Sequence, residues 1–123
     1  MNVVNWFEIP VLDMARAVAF YNQVFGWNMK AMNLGELDMA WFPSEEGSTG
    51  SSGSLIYSPE NYQPSTKGTL VYLSVENIDD VVSKIEDAGG SLLLPKTQIS
   101  KEHGFRAVLL DSEGNRIAIH SKS

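Results

Sequence analysis

The chain has 123 residues, of which 43% are apolar and 20% charged, and it contains no cysteine. This length suits one domain and excludes a multidomain enzyme, the composition excludes disorder and collagen-like structure, and the lack of cysteine excludes disulfides, thiolate metal sites and thiol nucleophiles. Nine basic against fifteen acidic side chains leave a formal charge of −6, which opposes binding to nucleic-acid phosphates or anionic membranes and suits a neutral or cationic small molecule.

Residues 1–6 show no basic segment followed by a long apolar run, and no stretch approaches a membrane span, so a soluble cytoplasmic protein is expected. The run Val3 to Val11 is rich in β-branched and aromatic residues and predicts a strand. Met14, Ala17, Val18, Tyr21 and Val24 then fall on one face of a helix, capped by Asp13 and closed by Gly26. Three short strands follow, at about 28–32, 37–42 and 54–58. The last two are separated by the Gly/Ser-rich run 44–54, a loop by composition. Pro59 to Pro64 reads as an ordered connection, with Tyr62 placed to cover a cavity edge.

The pattern then repeats. Thr69 to Glu76 predicts a strand, and Ile78, Val81, Val82, Ile85 and Ala88 repeat the helical spacing 64 positions later, between a capping Asn77 and Gly90. Strands are expected at about 91–94, 105–110 and 115–121, the last two joined by the turn Asp111-Ser112-Glu113-Gly114. The chain thus reads as βαβββ twice, an α+β protein in one domain over 1–123, with module 1 at about 1–60 and module 2 at about 66–123.

Strand alternation separates two faces. Phe7, Ile9, Val11, Val71, Leu73, Val75, Ile117 and Ile119 form the apolar set that packs the helices. The opposite set is mixed: Trp6, Glu8, Leu70, Tyr72, Arg116, Ala118 and His120. Trp41 is a further candidate for a ligand-facing aromatic beside Trp27 and Phe42, whose type serves cores and pockets alike. Arg106 and Arg116 suit either a substrate anion or surface acids, and His103 sits in a polar turn where exposure is expected. No phosphate-binding Gly-rich motif and no Gly-x-Ser-x-Gly elbow is present, which removes nucleotide-dependent and serine-hydrolase readings.

Several segments resemble the vicinal oxygen chelate superfamily, which includes glyoxalase I, extradiol dioxygenases and bleomycin-resistance proteins. They are Phe7 to Tyr21 with Phe25-Gly26-Trp27, Val71 to Val75 leading into Ile78-Asp79-Asp80, Ala88-Gly89-Gly90, and Asp111 to Ile117. The resemblance implies two βαβββ modules forming a curled mixed sheet around a concave cavity, often within a homodimer. It also implies a divalent metal held by first- and last-strand residues. Three of those positions fall on Trp6, Leu70 and Ala118, and the fourth in Leu55-Ile56-Tyr57-Ser58; the first three carry no donor for Zn²⁺, Mn²⁺ or Fe²⁺.

No cofactor is therefore expected, with a divalent metal at displaced ligands such as Glu8, His120 and Asp38 as the alternative. Glu8, Tyr72 and His120 each lie two residues beyond such a position, about 7 Å along the same strand face. Two functions follow. One is a protein that binds a planar or cationic small organic molecule through Trp6, Glu8, Trp41, Leu70, Tyr72, Arg116, Ala118 and His120, as a homodimer, with no nucleic-acid or membrane partner. The alternative is a glyoxalase-like enzyme, of lyase, isomerase or dioxygenase type, using Glu8 and His120 as an acid–base pair.

Overall fold

The structure is a computed structural model and describes residues 2–123. Strand β1 (Trp6–Pro10) leads into helix α1 (Met14–Phe25), then β2 (Ala31–Leu34), β3 (Leu37–Trp41) and β4 (Ser52–Tyr57). The second module repeats this order as β5 (Val71–Ser74), α2 (Ile78–Ile85), β6 (Ser91–Ser100), β7 (Gly104–Leu110) and β8 (Arg116–Ser121). The result is two four-stranded mixed sheets: sheet 1 in the order β1-β4-β3-β2 and sheet 2 in the order β5-β8-β7-β6. In each, the first strand runs parallel to the last and the other pairs are antiparallel.

The 64-residue repeat extends to the strand register. Phe7 lies opposite Gly53, and Val71 lies opposite Ile117, each 64 positions on. Both helices begin as the cap residues predict. Asp13 accepts from Arg16 N, and Asn77 accepts from Asp79 N and Asp80 N. Gly26 closes α1 at φ 73°, donating its N–H to Asn22 O. Helix α2 stops at Ile85, short of Ala88, and Gly90 N bonds back to Ile85 O.

Several strand boundaries differ from the sequence reading, β4 for one beginning at Ser52 inside the run read as a loop, and three of the differences have a clear local reason. β1 begins at Trp6 because its partner β4 begins opposite it at Ser52, leaving Val3 and Val4 unpaired and exposed. β2 begins at Ala31 because the side chain of Asn22 takes both backbone groups of Met29, accepting from its N–H at 2.7 Å and donating to its carbonyl at 3.2 Å. β6 runs on to Ser100 through Pro95, which an edge strand tolerates, with register shifts along its pairing with β7.

The inward faces of both sheets and the buried sides of α1 and α2 share one hydrophobic cluster, with Phe20, Tyr21, Ile78, Ile85, Leu109 and Ile119 fully buried. Among the described residues no strand of sheet 1 neighbours a strand of sheet 2; the modules meet through the helices and one polar turn. In that turn Glu113 accepts from Leu12 N and Asp13 N at 2.9 Å and from Arg16 Nε at 2.7 Å. Asp111 accepts from the Tyr21 hydroxyl at 2.7 Å, and Asn115 Nδ2 donates to Pro10 O. The turn of module 2 thus closes the N-terminus of the helix of module 1.

Candidate functional site

The outer face of sheet 1 is set by register. Ser54 on β4 is flanked by Glu8 on β1 and Trp41 on β3, so all three point the same way, as does Trp6 two residues before Glu8. Trp6 and Trp41 stay 38% and 49% exposed and meet edge to face with ring centroids 5.7 Å apart. Glu8 is exposed and its Oε1 accepts from the Tyr62 hydroxyl at 3.0 Å. That bond, with the carboxylate charge, raises the Tyr62 pKa above its ordinary value. The 59–64 connection thus brings Tyr62 to Glu8 on the edge strand of sheet 1.

Ser54 is fully buried beneath these groups and its hydroxyl has no partner. Its offset from Ala118 is the same 64 positions, and it occupies the same place in its sheet. The fourth position implied by the family resemblance therefore falls on Ser54, one residue before the segment Leu55 to Ser58 in which it was expected.

The outer face of sheet 2 carries Tyr72, Ala118 and His120 on adjoining strands. Arg106 Nη1 donates to the Tyr72 hydroxyl at 3.0 Å across β8, and Ala118 beneath this bridge is fully buried. As it stands Ala118 presents no surface to a ligand. Arg116 Nη2 donates to Gly68 O while its Nε is buried without a partner. Leu70 is half-buried beside it.

His120 Nε2 lies 2.6 Å from His103 O and donates its N–H to that carbonyl. His103 itself is exposed, as expected. Glu8 and His120 therefore bond elsewhere, on separate sheets, and no bond joins them among the described residues. Asp38 accepts from Asn33 Nδ2 at 2.6 Å and lies on the opposite side of sheet 1 from Glu8. Trp27 and Phe42 pack with Phe25 and Phe7 on the helix side.

The residues do not fit the family's metal. Trp6, Leu70 and Ala118 offer no donor, Ser54 offers one neutral hydroxyl, and among the described residues no three of His, Asp and Glu gather closely enough to hold an ion.

The strongest polar group, Glu113, was not singled out from sequence as more than part of a turn. Its burial alone would raise its pKa, but the bonds from Arg16, Ser112 and the N–H groups of Asp13 and Leu12 outweigh this and hold it at about 2, against an ordinary 4.5. Tyr21 is pushed well above its ordinary pKa, first by burial and then by Asp111. These groups join the modules.

Taken with this fold, the match of residues 3–119 to the family model for the Glyoxalase/Bleomycin resistance protein/Dioxygenase superfamily defines the class. The chain belongs to that superfamily. It is 25% identical to the putative glyoxylase CFP32 of Mycobacterium tuberculosis over 94% of its own length, and spans 44% of that relative. A glyoxylase-like domain-containing protein of Didymella fabae is 24% identical, with 94% of this chain and 91% of that one covered. Among solved structures, a glyoxalase-related enzyme of Fulvimarina pelagi superposes with a TM-score of 0.71 at 16% identity, covering 98% of this chain and 88% of that one. Likeness at that identity establishes the fold. No described helix is long and apolar enough to cross a membrane.

Proposed function

We propose that this protein binds a small planar cation on the outer face of sheet 1, as a metal-free homodimer in which sheet 2 of the second copy covers that face. The observation that carries this reading is the open Trp6–Trp41 pair beside the Glu8 carboxylate. Burying a large apolar side chain contributes about 1.5–3 kcal/mol, so two indoles left open on one face form a ready contact surface. A cation over an indole gains about 0.5–2 kcal/mol, more as water is excluded, and Glu8 supplies the counter-charge. With Oε1 engaged by Tyr62, Oε2 of Glu8 stays free to receive the ligand. A cysteine-free acidic chain also suits the reducing cytoplasm.

The test is a fluorescence titration with N-methylquinolinium against the neutral 1-methylnaphthalene. The cation should bind saturably and more tightly than the neutral ring, and Glu8→Gln or Trp6→Ala should each weaken it about tenfold, equivalent to about 1.4 kcal/mol. Equal affinity of wild type and both variants for the cation would end this proposal. Protein purified without chelator should carry no stoichiometric metal by mass spectrometry; one equivalent of Zn, Ni, Mn or Fe per chain would overturn the metal-free part.

A further inference from the structure

A cavity of about 550 Å³ lies between the modules and is lined by residues of both. It touches six consecutive residues of module 2, Thr69 to Ser74. A cavity against the face of a strand meets alternate residues, because successive side chains point to opposite sides. One that meets six in a row lies along the strand's edge.

That edge is free. β5 is the outermost strand of sheet 2, and Val75 N donates to His120 O on β8. Backbone groups of a parallel strand alternate between its two edges, so Val71, Leu73 and Val75 face β8 while the N–H and C=O of Leu70, Tyr72 and Ser74 face the cavity.

The opposite wall is aromatic. Phe7, Phe42 and Trp27 line it, with Phe42 5.4 Å from Phe7 and 5.7 Å from Trp27, centroid to centroid. Alternation puts Phe7 and Phe42 on the helix side of sheet 1, behind Trp6, Glu8 and Trp41. The cavity is therefore distinct from the face of the proposed cation site. The third wall is the loop between β3 and β4, where Ser44, Glu45, Ser48, Thr49 and Ser51 line the cavity. Among the described residues no Lys, Arg or His lines it, and Glu45 is its only charged residue. The volume is that of an ordinary small-molecule pocket, about 300–1,000 Å³.

We propose that this cavity is a second binding site, for a flat aromatic molecule, neutral or cationic, that carries an amide-like donor and acceptor on one edge. The rings of Phe7, Phe42 and Trp27 take its apolar part, and the free edge of β5 pairs with its donor and acceptor as a neighbouring strand would. The module 2 turn that closes against α1 spans only Asp111 to Asn115, whereas the corresponding loop of module 1 runs from residue 42 to 51. That longer loop makes the third wall.

The test uses 2-naphthamide as probe, with 2-naphthoate as its anionic counterpart. In titrations followed by amide nitrogen–proton spectra, 2-naphthamide should move the Leu70, Tyr72 and Ser74 signals most, and 2-naphthoate should bind at least tenfold more weakly. Thr69→Trp, at an exposed position on the rim, should weaken 2-naphthamide at least tenfold. The double variant Trp6→Ala, Trp41→Ala should keep its affinity within twofold. Ser74→Pro should weaken binding while Ser74→Ala, which retains the N–H, should not; thermal melts establish that each variant is folded. Loss of binding in the Trp6/Trp41 variant with retention in Thr69→Trp would move the ligand to the outer face of sheet 1 and overturn the proposal. So would equal binding of the anion, or no binding of 2-naphthamide.

Discussion

At the scale of single residues, Glu113 ties the two modules together through its charge. Its side chain is fully buried, while that of its partner Arg16 is half exposed, and it accepts five hydrogen bonds from Leu12, Asp13, Arg16 and Ser112. A carboxylate whose folded pKa is about 2 against an ordinary 4.5 contributes stability that is complete above pH 4.5 and is lost as the pH falls through 2. The shift corresponds to about 3 kcal/mol, and solvent around the Arg16 guanidinium reduces it to about 2 kcal/mol. Glu113→Gln should therefore lower the urea-unfolding free energy by about 2 kcal/mol at pH 7, with the gap from wild type closing towards pH 2. A gap of the same size at pH 2 would assign the effect to packing instead of charge.

At the scale of elements, much of the arrangement was legible because both helices and all eight strands follow from side-chain periodicity and cap residues, which are local. Alternation likewise placed Trp6 and Glu8 on the face away from the helices. What was not legible depends on contacts between elements. The burial of Ala118 comes from the Tyr72–Arg106 bond across β8, which requires the register of three strands. The late start of β2 comes from Asn22 on α1, and the separation of Glu8 from His120 comes from how the modules dock. Neither has a sequence-local signal.

The repeat also exposes a volume exchange within the β1–β4 pair. Where module 2 sets Val71 against Ile117, module 1 sets the large Phe7 against Gly53, and a Cβ on Gly53 would lie 2.5 Å from the Phe7 ring. Gly53→Ala should accordingly destabilise the protein by about 1–3 kcal/mol through overpacking. Adding Phe7→Val should restore part of that loss, although the same Phe7→Val change alone removes a partly buried ring and destabilises. A thermal-melt cycle over the four proteins reads this coupling, and strictly additive effects would refute the volume exchange.

At the scale of the whole molecule, the proposed homodimer sets two opposing terms against each other. Each copy carries a formal charge of −6, so two copies repel at long range. Against this, the outer face of sheet 1 exposes Trp6, Met32, Leu34, Leu37 and Trp41, all on one side by strand register. Apolar surface contributes about 25 cal/mol per Å² when covered, so five such side chains outweigh an exposed ion pair of about 0.2–1 kcal/mol by a wide margin. Apolar association should then dominate, and added salt, which screens the repulsion between acidic copies, should strengthen it. Light scattering through a dilution series should give twice the chain mass at high concentration, with dissociation shifting to lower concentration as salt rises. Leu34→Lys with Leu37→Lys should yield a folded monomer, since both side chains are already exposed in the single chain. A wild type that is monomeric throughout, or a dimer unaffected by the two lysines, would reject sheet 1 as the interface, while a dimer that weakens with salt would show that ion pairs rather than apolar contacts hold it.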